Sequence, residues 1–144
     1  MKKFLISICS LFTILSFNSY GIDIEKGENM RTINIQIGEK NFKGKIFDNS
    51  AGNAFISLFP LTLNMSDLNN NEKYSYLSEK LPVNSQNVHQ ITIGDLMLFG
   101  SECLVLFYEN FNTSYRYTKI GYIENPEKLK NALGNRNIEI KFNL

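Results

Sequence analysis

The chain has 144 residues, with 15 Lys and Arg against 14 Asp and Glu, and this near balance leaves no basic field of the kind that holds a nucleic acid. One histidine and two cysteines are too few for the ligand sets of a metal centre, and no glycine-rich phosphate loop opens a helix, so neither a metal nor another cofactor is expected. What remains informative is the pattern of apolar, aromatic and turn-forming residues.

Lys2 and Lys3 precede an apolar run from Phe4 to Phe17, about 14 residues and so shorter than the roughly 20 a membrane-spanning helix needs. Residues 1–21 are therefore expected to be a secretory signal peptide. Ser19 and Gly21 supply the small side chains a signal peptidase requires, which puts cleavage before Ile22 and the mature chain in the periplasm or outside the cell, with no stable membrane insertion. Cys9 follows Ile8 inside the apolar run, where a lipid attachment site would need a small residue, so no lipid anchor is expected. The rest is long enough for one domain with its own core. Its single thiol, Cys103 within CLVLFY, can form no intrachain disulfide and reads as a buried small hydrophobe.

From Arg31 to Ile37 the residues alternate strictly, which puts Ile33, Ile35 and Ile37 on one face of a strand. Gly38 to Asn41 turns the chain, and Phe42 to Phe47 returns as the second strand of a hairpin. Asp48 to Ser50 offers capping oxygens for a short helix in which Ala51, Ala54, Phe55 and Leu58 share a face, until Pro60 ends it. Leu61, Leu63 and Met65 alternate with Thr62, Asn64 and Ser66 as a further strand, followed by a polar loop from Asp67 to Glu72 and a strand around Tyr74 to Leu77. Ser78 to Asn87 is turn-like. Short strands are predicted at 91–94, 96–99, 103–108 and 115–123, two of them joined by a tight turn at Gly100 and Ser101. Asn125 caps a second helix that begins with Pro126 and Glu127, buries Leu129, Ala132 and Leu133, and stops at Gly134. Ile138, Ile140 and Phe142 alternate in a closing strand. Many short strands and two short helices predict a mainly β fold, a closed barrel whose ends the helices cap.

The stretches LTLNMSDLNNNEKYSYL (61–77), GDLMLFGSECLVLFY (94–108), FNTSY (111–115) and IGYIENPEKL (120–129) resemble the bacterial cyclophilin-like domain family, and the similarity spans about Arg31 to Phe142. The resemblance implies the barrel of the peptidyl-prolyl isomerases for a domain at 31–144. With true cyclophilins it extends to the fold only, since their Phe-His-Arg and Gln-Gly-Gly-Asp elements have no counterpart here.

The candidate binding residues are Thr62, Met65, Asp67, Tyr74, Tyr76, Asn112, Thr113, Tyr115 and Arg116, with Tyr117 beside them. Tyrosine rings supply apolar area and a hydroxyl, and the Arg116 guanidinium offers a fork of donors to a carbonyl or carboxylate. Tyr74 and Tyr76 are expected to meet Tyr115 and Arg116 in space across about 40 residues, because both pairs flank polar loops of the kind that gather binding groups at barrel rims. No catalytic device is evident: His89, the only histidine, lies in a loop-like stretch with nothing to orient it. The expectation is a non-catalytic module for a small molecule or an extended peptide. The alternative is a weak prolyl isomerase, for which only Arg116 is available to stabilise the twisted amide.

Overall fold

The computed structural model describes residues 29–144. The expected signal segment at 1–21 and its cleavage point before Ile22 lie outside the described residues. Strand β1 (Arg31–Ile37) pairs with β2 (Lys40–Ile46) as a hairpin, and the two-residue period buries Ile33, Ile35 and Ile37 as expected. Helix α1 (Ser50–Ile56) is capped by Asn49, whose side-chain oxygen accepts from the Gly52 N–H at 2.7 Å. A second hairpin joins β3 (Leu61–Leu68) to β4 (Glu72–Tyr76). Two-residue strands β5 (Gln86–Asn87) and β6 (Gln90–Ile91) precede a third hairpin, β7 (Asp95–Phe99) and β8 (Cys103–Phe107), which turns through Gly100 at a φ of 66°. The short β9 (Phe111–Asn112) pairs with β6 and leads into β10 (Arg116–Ile123). A 3-10 turn (Pro126–Lys128), α2 (Leu129–Leu133) and β11 (Ile138–Asn143) complete the chain.

The main sheet runs β2-β1-β11-β3-β4-β8-β7-β10, and β10 pairs back onto β2, so eight antiparallel strands close into a barrel. Closure depends on Gly121, which lies opposite Ile46 in that last seam: a Cβ there would sit 2.1 Å from the Lys45 carbonyl oxygen. The interior holds Leu96, Leu98, Leu104 and Leu106 with the isoleucines of β1, and Phe55 from α1 and Leu129 and Leu133 from α2 enter the same cluster. Phe55 meets Phe142 edge to face at 5.3 Å. A second apolar cluster lies on the other face of β7 and β8, where Met97, Cys103, Val105 and Phe107 pack with Ile91 and Tyr117. Strand β8 is consequently buried on both faces.

Two local expectations are corrected. Asp67 and Leu68 belong to β3 rather than to a loop, and the reversal is confined to Asn69–Asn71, with Asn69 and Asn70 at φ of 55° and 52°. Asparagine tolerates this left-handed backbone better than other side-chain-bearing residues, so the asparagine run shapes the turn. Asn125 does not cap a helix with its side chain: its φ of 48° and ψ of 62° are left-handed, whereas a capping residue needs extended backbone to aim its oxygen at the first turn.

Candidate binding groove on the barrel flank

Alternation along β4 divides its side chains between two environments. Lys73 points inward and is fully buried, while Glu72, Tyr74 and Tyr76 point outward, directly opposite Phe107, Val105 and Cys103 of β8. Glu72, Tyr74 and Tyr76 form one wall, and Val105 and Cys103 the floor, of a groove of about 370 Å³, with Leu68 of β3 next to Glu72. The facing wall is Phe99 at the end of β7 with Tyr115 just before β10 and Tyr117 near its start. The rings brace one another: Tyr74 and Tyr76 meet edge to face at 6.3 Å, Phe99 and Tyr115 at 5.9 Å, and Tyr117 stands on Phe107 at 5.5 Å and 90°. Tyr76 and Tyr115 nonetheless remain 66% and 64% exposed.

Glu72 is the only charged side chain among the lining residues, and among the described residues it makes no ion pair. Burial, and then the charge of Asp67, raise its pKa above the ordinary 4.5. Tyr117 is pushed up to about 12, by burial first and then by the Glu72 charge, with a hydrogen bond to the Thr113 side chain pulling the other way. The Cys103 thiol on the floor is raised by burial and by Glu72, which keeps it protonated and unsuited to nucleophilic chemistry.

Of the residues singled out in the sequence, Tyr74, Tyr76, Tyr115 and Tyr117 meet in this groove. Arg116 does not line it: the residue precedes Tyr117 in the strand, and its guanidinium donates to the Ser85 carbonyl at 2.7 Å. Thr62 is exposed farther along β3, opposite Lys141 of β11, away from the groove. Met65 is fully buried inside the barrel. Asp67 is held by an ion pair, its carboxylate accepting from Lys73 Nζ at 2.8 Å, from the Tyr108 hydroxyl and from the Asn70 N–H. Burial acts to raise the Asp67 pKa, but the hydrogen bonds from Lys73 and Tyr108, the Lys73 charge and the Asn70 N–H outweigh it and hold the carboxyl below 3.8. Asn112 pairs with Gln90 in the β6–β9 ribbon. Thr113 supports the groove from behind, its hydroxyl oxygen accepting from the Tyr115 N–H at 3.1 Å.

The groove residues that sequence reasoning missed are Glu72, Leu68 and Phe99, along with the floor. Glu72 was hidden by the polar run before it, although Glu72, Tyr74 and Tyr76 already share the two-residue period of one strand face.

A family model described as the cyclophilin-like family matches residues 35–143, more than half of the chain. No curated protein and no solved structure matches it.

Proposed function

The chain belongs to the cyclophilin-like family, and on that premise we propose that it is an exported, non-catalytic binding module whose flank groove takes a small molecule or an extended peptide. One observation carries this reading. Among the described residues six large apolar or aromatic side chains are exposed, and four of them, Leu68, Tyr76, Phe99 and Tyr115, line this one groove. Exposed apolar surface gathered in one concave place is the usual mark of a binding site. Export rests on Lys2, Lys3, the apolar run after them and the small residues Ser19 and Gly21.

The isomerase alternative required Arg116 beside an apolar pocket, and the engagement of its guanidinium with Ser85 leaves the groove with no cationic donor among its lining residues. Two measurements test the reading. A thermal-shift ligand screen on the wild type and on Tyr115→Ala should find compounds that stabilise only the former; hits that stabilise both equally would remove the groove as the site. A proline-peptide isomerisation assay at micromolar protein should show no rate above background, and clear acceleration would replace the binding reading with the enzymatic one.

A further inference from the structure

We propose that the ligand of this groove is a small organic cation, an alkylammonium group seated against Tyr76, Tyr115 and Tyr117 with Glu72 as its counter-charge. This deepens the binding reading and rests on it. The first support is composition: the walls present the faces and edges of four tyrosines and Phe99, and the lining carries one carboxylate and no Lys, Arg or His. Aromatic faces carry negative quadrupole charge, so they attract an ammonium group, and with no Lys, Arg or His in the lining an anion would meet only ring edges and tyrosine hydroxyls beside the Glu72 carboxylate.

The second support is the state of Glu72. An outward carboxylate placed opposite Phe107 and next to Leu68 loses hydration, and nothing among the described residues pairs with it. Lys73, its neighbour in sequence, is turned to the other face and committed to Asp67 and to the Arg136 carbonyl at 2.6 Å. The fold thus holds a half-buried carboxylate whose charge has no local partner, and a bound cation would supply one. The upward shift of the Glu72 pKa agrees with that geometry.

The third support concerns size and backbone. The floor strand β8 is hydrogen-bonded to β4 on one side and β7 on the other, so it offers no free edge to which a peptide could add as a strand. A volume of about 370 Å³ lies at the lower end of the range for small-molecule sites. Both features favour a compact ammonium compound over an extended chain.

Choline and its uncharged carbon isostere 3,3-dimethylbutan-1-ol have the same shape and differ in charge, so calorimetric titration of both isolates the electrostatic contribution. Choline should bind about tenfold or more tightly than the isostere, as expected for cation–π contact with a counter-charge. Glu72→Gln should weaken choline about tenfold and leave the isostere unchanged. Tyr115→Ala, at a largely exposed position, should weaken choline while the melting temperature stays put. Equal binding of choline and isostere, or choline binding indifferent to Glu72→Gln, overturns the cation while leaving the groove as an apolar site. Tighter binding of 3,3-dimethylbutanoate than of choline overturns it in the opposite sense. A lysine-containing peptide that binds through the same residues far more tightly than choline overturns the small-molecule assignment. Failure of every one of these compounds to bind overturns the inference, whereas the groove itself falls only if Tyr115→Ala also leaves the hits of the wider screen unaffected.

Discussion

At Asp67 and Lys73 a single pair of residues carries a large share of the molecule's sensitivity. Lys73 has no exposed side-chain surface, and its ammonium is satisfied by Asp67, by the Arg136 carbonyl and by the Tyr108 ring at 5.5 Å. Replacing Asp67 with Asn leaves that charge buried without a counter-ion, and the variant should lose about 3 kcal/mol of stability in urea titration. Replacing both partners with Leu and Met of similar bulk should recover most of the loss, because removing a buried pair together is far less costly than removing half of it. Asp67 and the groove carboxyl Glu72 also set opposite pH trends. Asp67 is depressed, so its contribution is present above its unfolded value of 3.8 and is lost as pH falls through its folded pKa. Glu72 is raised, so its contribution is complete below 4.5 and is lost as pH rises through its folded pKa. Glu72→Gln should therefore be more stable than the wild type at pH 7, with the gain disappearing below pH 4.5; chemical denaturation at a series of pH values checks this. At this scale the sequence was only partly legible. The tyrosines declared themselves by ring and spacing, but whether Asp67 or Arg116 faces a ligand or a neighbour depends on which side of a strand a single residue falls.

Among the elements, the seam between β2 and β10 is the most exacting. Gly121→Ala would press a methyl group against the Lys45 carbonyl and the Ile46 backbone, so the seam has to shift, and the barrel should lose about 3 kcal/mol or more. The same substitution at Gly100, where no atom lies within 4 Å, carries only the strain of its left-handed φ and should cost about 1 kcal/mol. Comparing the two denaturation midpoints separates crowding from backbone strain. The elements themselves were largely visible in advance because period two and turn chemistry are local signals: β1, β7, β8 and β11 lie where alternation and glycine place them. The β3–β4 turn was misjudged in extent because Asp67 and Leu68 sit in strand although they begin a polar-looking run, their partners Lys73 and Glu72 being supplied from across the hairpin. Of the strand expected at 91–94 only Ile91 is realised, as the end of β6, and the pairing of β6 with β9 was not anticipated, since two-residue strands have too few positions to show a period.

For the molecule as a whole, the closed barrel and its helices were foreseeable from many short strands with strand-like ends, but the pairing of β10 onto β2 is a long-range fact that no local window contains. Export belongs to this scale too: mass spectrometry of secreted or periplasmic protein should give a chain that begins at Ile22, and retention of residues 1–21 would contradict the expected processing. The double burial of β8 has a further consequence. Its amides are screened from solvent by the interior on one side and by the outer aromatic cluster on the other, and both of its edges are paired. Deuterium uptake along 103–107 should thus be the slowest in the chain and should require global rather than local opening. The groove stands on that strand, so its floor keeps its shape until the protein unfolds altogether. Occupancy would then register as slower uptake in the segments around Tyr76 and Tyr115, while the floor beneath stays silent except through the overall gain in stability.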